Sequence, residues 1–96
     1  MGEKNNISSN AYRIAQTAIS DLKAAIYEVL SSAPEDGLTN AQLGRSLGIY
    51  SGHKRHEGHI PRTLLEMMEA EGVVEQFDDK KWKLRNHFIQ LGAVQK

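Results

Sequence analysis

The chain has no cysteine, which rules out disulfide staples and thiolate metal sites and fits a reducing compartment, so the expected location is cytoplasmic. It also lacks net charge: 12 lysines and arginines balance 12 aspartates and glutamates. The overall positive field common in DNA-binding domains is therefore missing, and any attraction to phosphate has to come from local clusters. No apolar run approaches the roughly 18 residues of a membrane span, and the first ten residues carry no apolar stretch of the signal-peptide kind. Only 2 prolines interrupt the 96 residues, and aromatics make up 6%. What remains is the composition of one small soluble domain whose core must use nearly every periodic apolar residue.

Residues 1–9 are polar and without apolar period, and are predicted to form a disordered arm. From residue 10 to residue 30, Ile14, Ala18, Ile19, Leu22, Ile26, Val29 and Leu30 recur at three- and four-residue spacing, the stripe of an amphipathic helix. Ser8, Ser9 or Asn10 is suited to cap its start, and the Ser31-Ser32-Ala33-Pro34 run stops it. Leu38 predicts a strand of one or two residues. Thr39 and Gln42 have the spacing of a capping box for a helix over 40–47, with Ala41, Leu43 and Leu47 facing the first helix and Gly48 ending it. Pro61 predicts a third helix, with Leu64, Leu65, Met68 and Val73 inward and Gly72 at its end. Residues 73–77 and 82–85, split by Asp78-Asp79-Lys80-Lys81, predict a hairpin in which Trp82 and Leu84 alternate with Lys83 and Arg85. The tail, residues 86–96, contains Phe88, Ile89, Leu91 and Val94 at a spacing that permits a short helix, packed on the first helix or on a second copy.

The run Gly37-Leu38-Thr39-Asn40-Ala41-Gln42-Leu43 with Leu47-Gly48, followed by Leu64-Leu65-Glu66 and Glu71-Gly72-Val73-Val74, resembles the winged helix-turn-helix superfamily of bacterial and archaeal DNA-binding proteins. Residues 48–62 are also similar to small winged-helix modules that accompany restriction or defence proteins. The resemblance implies an α+β, mainly α fold over residues 10–85, a three-helix core with a C-terminal two-stranded hairpin wing, to which residues 86–96 add a tail or a short extra helix. It implies double-stranded DNA binding by a transcription or defence-associated regulator. One departure stands out. Helix-turn-helix units ordinarily join their helices by about three or four residues, whereas residues 49–58 intervene here, a polar, basic insertion with Lys54 and Arg55 that is predicted to be mobile.

If the helix after Pro61 enters a major groove, its first turn faces the bases, and Arg62 and Thr63 become contacts: the guanidinium to guanine, the threonine to a phosphate or a thymine methyl. The competing reading pairs Arg62 with Glu66, four residues on, on a solvated face. Lys80, Lys81, Lys83 and Arg85 suit a wing that grips phosphates, although edge strands carry lysine for solubility as well. Trp82, in phase with Leu84, reads as core rather than as a base-stacking ring. His53, His56 and His59 with Glu57 have a weak resemblance to a zinc shell, but a basic loop accounts for the same residues, so no metal, cofactor or small-molecule substrate is expected. No nucleophile elbow or paired-carboxylate motif is present, and no catalytic residue is assigned. The alternative function is a protein-docking module on the same scaffold, with a protein partner or a homodimer in place of DNA.

Overall fold

The computed structural model describes residues 2–51, 57–77 and 80–85. In chain order it comprises α1 (Gly2–Ser31), β1 (Leu38–Thr39), α2 (Asn40–Leu47), α3 (His59–Ala70), β2 (Val74–Phe77) and β3 (Lys81–Leu84). The protein is thus a small α+β chain, mainly helical, with three helices and a three-stranded antiparallel sheet among the described residues. No helix among them is long and apolar enough to cross a membrane. The tail, residues 86–96, and the loop residues His53, Lys54, Arg55 and His56 lie outside the described residues.

Ile26, Leu30, Leu43, Leu64, Leu65, Met68, Val74, Trp82 and Leu84 form one buried cluster to which all three helices and the hairpin contribute. The helical period of α3 is met as expected, with Leu64, Leu65 and Met68 buried. The period of α1 is met only in part. Ile26 and Leu30 are buried, yet Ile14 is 58% exposed and Ala18 is also exposed. The reason is length. Thirty residues of helix run about 45 Å, whereas α2 and α3, with 8 and 12 residues, run about 12 and 18 Å and cannot cover that span.

α1 also starts earlier than expected. Its backbone is helical from Gly2, and residues 2–9, predicted to be an arm, extend it. Once later turns are fixed against the core, each added residue needs only propagation, one bond gained per residue ordered. Asn10 is consequently inside the helix rather than at its cap, and its Oδ1 accepts a hydrogen bond from Arg13 Nη2 at 2.6 Å.

α2 opens with the predicted reciprocal box. The Thr39 hydroxyl accepts from the Gln42 amide at 3.1 Å and the Thr39 amide donates to Gln42 Oε1 at 2.9 Å. Gly48 closes the helix in the left-handed region, φ 72°. α3 begins at His59 rather than Pro61, which places the proline within the first turn, where its missing amide hydrogen has no intrahelical partner to lose.

The sheet order is β1-β3-β2, with Leu38 opposite Trp82 and Gln76 opposite Trp82 on the other side. Beside this ladder, Lys81 Nζ donates to Asp36 Oδ2 at 2.9 Å. That hydrogen bond first, and then the ammonium charge, hold the Asp36 carboxyl below its ordinary range. Because the folded-state value is depressed, the pair favours the folded chain at neutral pH, and its contribution fades as pH falls through that value; solvent exposure keeps it small. Lys81→Met is expected to return Asp36 to the ordinary carboxylate range in an NMR titration of the side-chain carboxyl carbon. An identical titration curve in the variant would show that the pair is absent in solution.

Candidate nucleic-acid interface

The joint between α2 and α3 is held by close approach. A Cβ built on Gly44, inside α2, would sit 2.8 Å from Tyr50 Cβ and 2.9 Å from Pro61 Cγ. One built on Gly58 would sit 2.6 Å from Tyr50 Cε1 and 2.7 Å from Asn40 Nδ2. Two glycines therefore let the Tyr50 ring wedge between the helices, and the Arg45 guanidinium covers that ring at 4.7 Å from its centroid, a cation–π contact. The Gly58 carbonyl is the centre of the joint. It accepts the first intrahelical bond of α3 from the Arg62 amide at 3.1 Å and a second bond from Asn40 Nδ2 at 3.0 Å. The Gly58 amide reaches back to the Ser51 carbonyl at 3.4 Å. The insertion between the helices thus leaves and returns through a closed neck, so the two helices keep their relation despite the extra residues.

This joint forms one wall of an open cleft of about 500 Å³. Asn40, Ala41 and Tyr50 line it from the α2 side, Arg62 and Glu66 from α3, and Gln76, Lys80 and Trp82 from the hairpin. Ala41, expected to face α1, lines the cleft instead. No ion pair joins Arg62 to Glu66, although both border the same space. Asn40 Oδ1 is buried without a hydrogen-bond donor among the described residues, a cost of about 1–3 kcal/mol for an acceptor left in that state. Trp82 is 4% exposed and serves as floor, in keeping with its alternation.

The sequence-predicted contacts do not gather into one patch. Arg62 and Lys80 flank the cleft. Thr63, one residue on and about 100° round the helix, is exposed but lines a groove against α1 with Ile19, Leu22 and Ile60. The wing lysines divide: Lys80, just before β3, borders the cleft with Trp82, while Lys81 and Lys83 alternate with Trp82 along β3 and so are on the opposite face. There Lys81 is held by Asp36, and Lys83 lies 4.9 Å from the Phe77 ring centroid with Glu75 as its cross-strand neighbour. Arg85 is exposed beyond the far end of β3 from Lys80. Lys54 and Arg55 lie outside the described residues.

Lys80 has a further property: its φ of 59° places a non-glycine residue in the left-handed region at the hairpin turn. Asn40, Tyr50 and Gln76 escaped the sequence reading. Gln76 was accessible in principle, since a residue opposite Trp82 that is not apolar marks where the sheet leaves the core. Asn40 and Tyr50 were not, because their roles depend on contacts across residues 49–58. No group of three or more histidines, aspartates or glutamates among the described residues is placed to hold a metal ion; His59 is exposed at the start of α3, and His53 and His56 lie outside those residues. Comparison with protein-family models, with curated proteins and with solved structures finds no match for this chain.

Proposed function

We propose that the protein is a winged helix-turn-helix domain that binds double-stranded DNA, as a transcription or defence-associated regulator. The observation that carries this reading is that the first turn of α3 and the hairpin turn border one open cleft, with Arg62 on one side and Lys80 on the other. A helix N-terminus beside a duplex supplies a favourable dipole end for phosphate, and an arginine there can meet guanine O6 and N7 in a bidentate manner. Lys80, just before β3 and at the edge of the same cleft, is suited to a phosphate, which positions the domain without reading sequence. The element order, with a short strand before α2 and a hairpin after α3 joined to it in one sheet, is that of the winged helix resemblance and supports the same reading. Glu66 opposes phosphate one turn further along, which favours docking tip first.

Fluorescence anisotropy with labelled duplexes tests the proposal. Arg62→Ala should weaken binding to a preferred duplex by about 1–3 kcal/mol and relax sequence preference. Lys80→Gly removes a charge while keeping a residue that tolerates the left-handed turn, so it should weaken all duplexes alike and lower the salt slope by about 1. Lys83→Ala, on the far face, should bind as wild type. Absence of binding to any duplex at low salt would end the DNA reading and leave protein docking as the use of this scaffold.

A further inference from the structure

We infer that Glu66 reads a cytosine in the major groove, beside the guanine met by Arg62; the inference rests on the duplex-binding reading proposed above. The problem Glu66 poses is its sign. Among the described residues lining the cleft it is the one acid, and it is exposed there with Arg62, Gln76 and Lys80. The neighbouring acids are placed elsewhere: Glu69 is outside the cleft lining, and Glu71 is tied to Lys23 at 2.6 Å. Among the described residues, no ion pair holds Glu66 to Arg62 or to Lys80, so its charge stands uncompensated on the surface that faces the duplex. A carboxylate in a groove walled by phosphates is repelled and gives up water, a cost that a hydrogen-bond donor on the base edges offsets.

The four bases differ in what they offer. Cytosine presents its N4 amino donor to the major groove, thymine an O4 acceptor and a methyl, guanine the N7 and O6 acceptors, and adenine an N6 donor beside the N7 acceptor. An ionised carboxylate has acceptors alone. It therefore bonds cytosine, opposes guanine and thymine, and meets the adenine donor only with N7 beside it. Much of this selection is rejection, since a carboxylate against the wrong base loses its water and gains no partner. Spacing fixes where the cytosine lies. Arg62 and Glu66 are four residues apart, about 6 Å along α3 and about 40° round it, so both side chains issue from one face. A helix that enters the groove at an angle reads successive bases with side chains three or four residues apart. Inclined, tip-first entry thus sets Arg62 on the guanine and Glu66 on a base within about two pairs of it, while Glu69 stays clear.

Selection of duplexes from a randomised pool by the full chain, followed by fluorescence anisotropy on the selected duplex, tests the inference. Arg62→Ala identifies its guanine as the position where preference is lost. Within about two base pairs of that guanine, the wild type should prefer cytosine over thymine by on the order of 10-fold. Glu66→Gln, a change of nearly equal size at an exposed position, should leave the melting temperature unchanged and keep the guanine preference. It should shift the other preference to adenine, whose N6 and N7 suit an amide. A second arm needs no variant. N4-methylcytosine at that position, its methyl in place of the groove-facing hydrogen, should weaken the wild type by on the order of 10-fold and leave Glu66→Gln unaffected. If Glu66→Gln tightened every duplex by one factor with base preferences unchanged, the carboxylate would merely repel, and the inference would fall with duplex binding intact. Loss of the guanine preference in Glu66→Gln would overturn it as well, assigning Glu66 to holding Arg62 in place. A wild type that binds no duplex would remove the DNA reading along with it.

Discussion

Leu65→Ala should destabilise the protein by about 2–5 kcal/mol, the range for truncating a buried leucine whose neighbours relax only in part. Leu65 is fully buried in the middle of α3, within the cluster that joins α1, α2 and the hairpin. Domains of this size have about 5–15 kcal/mol in total, so the variant would lose a large share and could be partly unfolded at physiological temperature. Denaturant titration should show a lower midpoint with an unchanged slope, the signature of altered stability without a change in surface exposed. Thr63→Ala, two residues away on the exposed side, should remain within about 0.5 kcal/mol of wild type. Equal midpoints for Leu65→Ala and wild type would place the wrong face of α3 against the core.

Gly58→Ala is expected to cost about 2–5 kcal/mol, from two separable sources. Its φ of 84° lies in the left-handed region, where an L side chain costs roughly 1–2 kcal/mol. The new methyl would also press on Tyr50 Cε1 and Asn40 Nδ2, and overpacking of this kind costs about 1–3 kcal/mol. Gly48→Ala isolates the first source. It too is left-handed, φ 72°, but a Cβ there meets nothing within 4 Å, so only the backbone penalty of about 1–2 kcal/mol applies. Thermal melts of both variants measure the difference. Equal losses would show that Tyr50 is not wedged between α2 and α3 as described.

Local signals in the chain were legible. The Thr39–Gln42 box, the Gly48 stop and the alternation of Trp82 and Leu84 each depend on residues within a turn or a strand of one another, and each is present. The alternation held more than was taken from it. The period that turns Trp82 inward also puts Lys81 and Lys83 on the other face, whereas Lys80 comes to the Trp82 side through a left-handed turn that the strand period does not contain. Long-range facts were not legible. Pairing of Leu38 with Trp82 joins residues far apart in sequence, and Lys81 spends its charge on Asp36 because of that pairing. The end of the buried part of α1 depends on how far α2 and α3 reach, and no periodicity in α1 contains that distance. The packed joint was hidden for a related reason: Gly44 looks like an ordinary small helix residue until Tyr50 and Pro61 are seen against it.

The most direct measurement is the amide and indole footprint of unlabelled mixed-sequence duplex on the nitrogen-15-labelled chain at low salt. If the Arg62 and Lys80 cleft is the DNA surface, titration should shift Asn40, Tyr50, Arg62, Gln76 and the Trp82 indole together and leave Phe77 and Lys83 unmoved. A spectrum unchanged at excess duplex, or shifts confined to the face of Phe77 and Lys83, would contradict it.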